Sequence, residues 1–398
     1  MNINFNHSNN DSQSAMRFVL LIGILSFFAD FTHEGARSIL GSYLASLQAS
    51  AFAVGAVSGF GELMGYSLRF FSGRIAESIG KFWPITITGY AVQMTAVPAL
   101  ALTDNWHSAA VLIILERTGR AIRIPTRDAM LSHAANNIGG YGWTFGIHEA
   151  CDQLGALSGP LVMSWVLMKG GDFHRAFAVL LIPACINIIL VLTARYFYPS
   201  PEKFESDQKN VTSPKRLPDT FWMYLTGACF VAVGFADYPL LAYHFTRDNI
   251  LSVNSIPILY ATAMGFSGSS SLLFGRLFDR FGFRLLIVLT AITAMFSPLI
   301  FFGGITGGIA GALLWGIGTG VHESIIPAAV SPMVSATRRA SAFGLFTGAY
   351  GAFWFAGSAI MGLLYDYSVL YMVIFCVVSQ MMALPFFFWV CKRKEFIN

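Results

Sequence analysis

The sequence predicts an all-α membrane protein with twelve transmembrane helices in two pseudo-symmetric six-helix bundles. Three observations predict it: a shortage of charge, apolar segments of bilayer length, and landmarks that recur half a chain apart. The 398 residues are 55% hydrophobic, 15% aromatic and 12% charged, against roughly 25% charged in a soluble globular domain. Lipid as the surrounding solvent accounts for the missing charge. The formal net charge of +4 comes without a Lys/Arg block, so no nucleic-acid partner is expected. The five cysteines are odd in number and have no CxxC spacing. Neither a disulfide framework nor a zinc site is expected, and no cofactor or resident metal is assigned.

A bilayer core of about 30 Å needs about 20 mostly apolar residues per helix. Twelve segments meet that length: 16–40, 51–71, 83–103, 107–127, 142–168, 174–197, 219–245, 254–274, 284–303, 305–331, 341–364 and 369–391. The polar N-terminus has no basic lead into a clean apolar run, and the first segment carries Asp30, His33, Glu34 and Arg37. It reads as a retained helix rather than a cleaved signal. An even count places both termini on one side. That side receives 21 of the 25 Lys and Arg residues, and the other side only Arg37, Lys169, Arg175 and Arg247. Basic residues stay cytoplasmic, so both termini are expected in the cytoplasm of a cell with this chain in its inner membrane. Residues 198–218, rich in Pro, Ser and mixed charge, read as a cytoplasmic linker between halves 1–197 and 219–398.

The loop Gly73-Arg74-Ile75-Ala76-Glu77-Ser78-Ile79-Gly80-Lys81 is echoed 202 residues later by Gly275-Arg276-Leu277-Phe278-Asp279-Arg280-Phe281-Gly282-Phe283-Arg284. Each follows the second helix of its half. A second echo, Phe145-Gly146 with Gly159 against Phe343-Gly344 with Gly357, has an offset of 198 and falls at the fifth helix of each half.

This repeated loop resembles the signature loop of the major facilitator superfamily, and helix count, half length and central linker extend the resemblance along the whole chain. The run from Glu116 to Asp128, ERTGRAIRIPTRD, is similar to a prokaryotic subgroup of these permeases. The resemblance implies alternating access around a central cavity lined mainly by helices 1, 4, 7 and 10. It also implies that the loop acids, here Glu77 and Asp279, neutralise a helix N-terminus and nearby bases on the cytoplasmic face. Gly73, Arg74, Gly80, Lys81, Gly275, Arg280, Gly282 and Arg284 complete the gating set by the same resemblance. The alternative is that these charges only set topology. Glu77 stands where the family usually has Asp. Gly155 to Pro160 resembles the start of the family's antiporter signature, though tight helix packing explains its small residues equally well.

Ionisable residues within apolar spans are functional candidates by default, because they are costly there. In helix 1, Asp30, His33, Glu34 and Arg37 follow three- and four-residue spacing on one face. Helix 2 adds Glu62, and helix 5 adds His148, Glu149 and Asp152. Helix 4 offers Glu116, Arg117, Arg120 and Arg123, with Arg120 expected to pair with Glu149 or Asp152. The C-terminal half carries Asp237 on helix 7 and His322-Glu323 on helix 10, with no Lys or Arg deep in those helices. Its acids and histidine are candidates for proton exchange.

The leading expectation is a secondary transporter of a small polar or charged solute, proton-coupled and monomeric. No P-loop is present, so ATP is not the energy source. An intramembrane enzyme would need a paired nucleophile and base, and no such pattern occurs. The alternatives are a membrane sensor or assembly factor on the same fold, and a transporter of a divalent metal or metal chelate. The three His-Glu pairs, at 33–34, 148–149 and 322–323, lack the HExxH continuation of a metalloprotease.

Overall fold

The computed structural model describes residues 4–79, 82–135, 138, 141–201, 217–330, 333 and 339–393. Within these, side chains at 4–11, 69–79, 135, 141–143, 145, 146, 276, 279, 323–328, 339–341 and 343 lie outside the description. The described residues are α-helical, with one short 3-10 turn and no strand. Apart from connecting turns, they form α1 (Asn4–Ser46), α2 (Ala51–Ile79), α3 (Phe82–Leu102), α4 (Trp106–Ala135), α5 (Tyr141–Met168) and α6 (Phe173–Phe197). The chain continues through α7 (Asp219–Arg247), α8 (Ser255–Phe281), α9 (Phe283–Phe302), α10 (Gly304–Ala328), α11 (Arg339–Tyr367) and α12 (Val369–Lys392).

Seven of these are long and apolar enough to cross a membrane by length and composition: α1, α3, α6, α7, α9, α10 and α12. The other five are 27 to 30 residues long. Their apolar character is diluted by charge, most heavily in α4, and by small residues such as Gly and Ser in α2, α5, α8 and α11. Large apolar side chains point outward along the surface, among them Ile182 and Ile189 of α6 and Ile374, Val378 and Met382 of α12. Such stripes would be an aggregation hazard in water; they belong against lipid, and the chain is a multi-pass membrane protein.

The helices cluster into two compact units. The first comprises Met1–Ala36 and Leu68–Asn210, the second Arg37–Ser67 and Val211–Asn398. In the first unit, Phe18, Val19, Ile22 and Leu25 of α1 pack with Tyr90 and Met94 of α3, Met130 and Leu131 of α4, and Val191 of α6. There α3 lies against both α4 and α6. In the second unit α9 lies against both α10 and α12, the same pairing six helices later. Gly159 of α5 lets two backbones touch, since a Cβ there would fall 2.2 Å from the Phe31 carbonyl oxygen. The six-residue motif at 155–160 thus has a packing role.

Asp172 caps α6 by accepting a hydrogen bond from the Arg175 N–H at 2.8 Å. That bond holds its carboxyl below the usual carboxylate range, so the cap is kept at neutral pH and lost as Asp172 protonates in acid.

Helix α7 is interrupted within an otherwise apolar run. Its helical geometry stops at Gly234 and resumes at Tyr238, where Pro239 at the second helical position has no N–H to lose. A break at membrane depth must find other partners for the released carbonyls. Gln380 Nε2 donates to the Gly234 oxygen at 3.0 Å, and Trp315 Nε1 to the Ala236 oxygen at 2.9 Å. Asp237 accepts the first N–H of the resumed helix, that of Tyr238, at 2.9 Å. The sequence predicts one continuous helix over 219–245, and the structure corrects this. Hydropathy is blind to the break because Phe235 and Ala236 are as apolar as the helix around them, and a lone Asp237 barely changes the average over a span of this length.

The loop between α8 and α9 turns at Gly282, whose φ of 57° and ψ of −141° are open to glycine and strained for other residues. Gly282→Ala is therefore expected to cost about 1–3 kcal/mol of stability. Gly275→Ala, at a helical position with open space around it, should be neutral or stabilising. Thermal unfolding in detergent checks the pair, and equal losses at both positions would rule out backbone strain as the cause.

Candidate functional site

In the first unit, Arg117, Arg120, Arg123 and Arg127 recur every three or four residues on α4, which places them along one side of the helix. Acids from three helices meet them. Asp30 of α1 lies 3.6 Å from Arg123 and 3.9 Å from Arg120. Glu116 accepts from His33 Nδ1 at 2.8 Å and from Gln93 Nε2 at 3.0 Å. Asp152 of α5 lies 3.8 Å from Arg127. Glu34 is buried beside His33, 3.7 Å from its Nε2. Charges this deep persist only when paired and hydrogen-bonded, and acids and bases are close to balance here.

Hydrogen positions follow from the partners. His33 Nε2 faces two guanidinium groups, Arg120 at 2.7 Å and Arg117 at 3.2 Å. Arginine can only donate, so Nε2 accepts and the ring hydrogen sits on Nδ1, toward Glu116. Arg123 is fully buried and donates to Gln93 Oε1 at 2.6 Å and the Tyr90 hydroxyl at 3.2 Å. A second relay runs through Ser26. Arg127 donates to its hydroxyl at 3.2 Å, which leaves the hydroxyl to donate to His148 Nε2 at 2.7 Å. His148 Nδ1 then faces Asp152 at 3.4 Å.

Three members differ from the rest. Asp30 and Asp152 have ion-pair neighbours but no hydrogen bond among the described residues, whereas Glu116 is held by two. The Arg120 side chain is 22% exposed, against 5% for Arg117, 0% for Arg123 and 9% for Arg127. The network thus has two loosely held acids, Asp30 beside the reachable Arg120 and Asp152 beside the buried Arg127.

Helix 5 corrects the expected pairing. Arg120 stands against His33 and Asp30, and Arg127 takes Asp152. The two arginines are about 10 Å apart along α4, and depth along the helix decides which acid each meets. Glu149 is exposed and accepts from Gln153 at 2.9 Å.

The second unit centres on the α7 break. Arg37 Nη2 donates to Asp237 at 2.6 Å and lies 3.9 Å from Glu62. The expectation of an Asp237 without a base is overturned, because its partner comes from α1 rather than from the C-terminal helices. His322 packs its ring 4.1 Å from Phe235, and its buried Nδ1 has no partner among the described residues. Gly275, Arg280, Gly282 and Arg284 lie around the α8–α9 turn. The side chains of Gly73, Arg74, Glu77, Asp279 and Glu323, and all of Gly80 and Lys81, lie outside the described residues.

Ser26, Tyr90 and Gln93 escape the sequence reading. Their signal is slight: uncharged polar groups in apolar helices, which only the geometry ties to α4.

Charge pairs buried among apolar helices, and a helix interrupted at an acid, are features that membrane transporters use. Residues 19–246 match the family model of the Major Facilitator Superfamily, and the chain belongs to that superfamily. Over 381 residues it is 36% identical to an uncharacterized protein of Mycobacterium tuberculosis, covering 94% of this chain and 93% of the relative. It is 27% identical to an uncharacterized MFS-type transporter of Methanocaldococcus jannaschii, over 96% of this chain and 98% of that one. The fold is shared with the nucleoside transporter NupG, at TM-score 0.73 and 15% identity over 95% of this chain and 100% of that one. It is likewise shared with an inward-facing bacterial homologue of the human lysosomal transporter Spinster, at TM-score 0.76 and 13% identity over 96% and 98%. The family and these neighbours are transporters, not enzymes.

Proposed function

We propose that this chain is a secondary active transporter that carries a small polar or charged solute across the cell inner membrane by alternating access, coupled to protons. Asp30 carries the reading: a buried carboxylate within ion-pair range of two arginines and hydrogen-bonded to neither. Such an acid can take and release a proton, or yield its arginines to an anionic group, with fewer bonds to break than Glu116. Arg120, the reachable base, is the group an anionic or hydrogen-bonding part of the solute meets first. Asp237, His322 and Glu323 are further proton-exchange candidates in the C-terminal half. Glu77 and Asp279, with the glycines and bases of their loops, form the cytoplasmic gate.

On this reading all twelve helices cross the membrane, six in 1–197 and six in 219–398, joined by the linker 198–218, and the working unit is a monomer. Reporter fusions test the topology. Fusions at Ser206 and Asn398 are expected to report cytoplasm, and one at Asp172 periplasm; a periplasmic signal at Ser206 would overturn the helix count. Solute flux into proteoliposomes, measured with and without a pH gradient, tests the function. Flux that ignores the gradient removes the coupling, and no flux for any solute favours a sensor on the same fold.

A divalent cation is the second reading. One donor atom each from His148, Glu149 and Asp152 can lie within 4.8 Å of the others. It ranks second because the Arg127 guanidinium already stands 3.8 Å from Asp152 and would repel a bound cation.

A further inference from the structure

The first four N–H groups of a helix have no partner inside it, and at α2 the donors are met from an unexpected place. Asp366, on the last turn of α11, accepts from the Ala51 N–H at 3.0 Å with one carboxylate oxygen and from the Phe52 N–H at 2.9 Å with the other. Ser50 accepts from the Ala53 N–H at 3.1 Å, and Val54 opens the helical ladder to the Ser50 carbonyl. A residue more than 300 positions away thus completes the cap, with its negative charge against the positive end of the helix dipole.

The rest of the contact is built for closeness. A Cβ on Gly362 would fall 2.4 Å from the Ala51 carbonyl oxygen, and one on Gly55 2.3 Å from that of Ser358. Beside Asp366 opens a cavity of about 480 Å³, lined by Ser46, Gln48, Ser50, Tyr243, Thr246 and Arg247 among others. Arg247 lies over the Tyr243 and Tyr365 rings and is 4.0 Å from Asp366. At 49% side-chain exposure and that distance, it adds little to the hold. The two backbone hydrogen bonds are the hold, and open space adjoins them.

We propose that Asp366 is a positioning residue of the transport cycle, a latch that pins the start of α2 to the end of α11 and is released when the protein changes state. The proposal rests on the alternating-access reading, whose topology puts this latch on the outer face. It is the counterpart there of the acids that the sequence places on the cytoplasmic loops. Asp366 acts through the α2 backbone and touches no solute.

Spin labels on Phe52→Cys and Tyr367→Cys, both exposed sites, read the distance directly in purified full-length protein. With Asp366 intact a short-distance population should dominate. Asp366→Ala should raise the ratio of long to short distances by about an order of magnitude, the scale of a lost helix cap. Asp366→Asn, which keeps one acceptor oxygen, should fall between, and Arg247→Ala should match the parent. If the Ala variant does not fold, the Asn variant carries the test. Distances unchanged in the folded Asp366 variants overturn the latch, as does an equal shift in Arg247→Ala. A shift in distance with no flux for any solute in the parent protein would keep the latch and sink the transport reading.

Discussion

Arg37→Met is expected to destabilise the protein by about 3–5 kcal/mol, the cost of leaving one member of a buried ion pair alone. The Asp237 side chain is 2% exposed and that of Arg37 11%, and their nitrogen and oxygen are 2.6 Å apart. At 2% exposure, the Asp237 carboxylate left behind is shielded from bulk solvent. Asp237 also caps the resumed half of α7, so misplacing its carboxylate disturbs the break itself. The double change Arg37→Met with Asp237→Leu removes both charges and should recover a large part of the loss. Denaturation in mild detergent, arranged as a double-mutant cycle, measures the coupling. Additive losses would mean that the two side chains are adjacent without depending on each other.

Asp30→Asn is expected to abolish gradient-driven accumulation while sparing solute exchange. The amide keeps the size of the carboxylate and cannot carry a titrating proton. Because Asp30 makes no hydrogen bond among the described residues, the change removes few contacts, and folded yield should stay near that of the parent. The comparison is Glu116→Gln, which breaks into a buried hydrogen-bonded cluster and should mainly lower yield. Counterflow and pH-driven uptake, run side by side, separate the two effects. Full accumulation by folded Asp30→Asn would move the coupling role to Asp237 and Glu323. Loss of exchange as well would make Asp30 part of the solute site instead.

Much of the architecture is legible before any coordinates. Helices follow from composition, because lipid forces each backbone to satisfy itself. The charged residues of the site are legible too, since Asp30, His33 and Arg120 stand out in apolar runs. Their partners are not. Whether Arg120 or Arg127 meets Asp152 depends on the depth and rotation of packed helices, which periodicity leaves open. Arg37 and Asp237 are 200 residues apart, and nothing local links them. The break in α7 is hidden for the opposite reason: Phe235 and Ala236 are apolar, and the Asp-Tyr-Pro run that marks it is brief. Asp366 looks like an ordinary acid at a helix end until the N–H groups of α2 are counted.

Solute movement is expected to drive, or be driven by, proton movement. The most direct measurement loads proteoliposomes with a pH-sensitive dye and adds, without any imposed gradient, the solute that most raises the thermal stability of the protein. The expected result is a solute-evoked change in internal pH that is absent from protein-free vesicles and lost in Asp30→Asn. Solute movement at the same rate with no change in internal pH would contradict it.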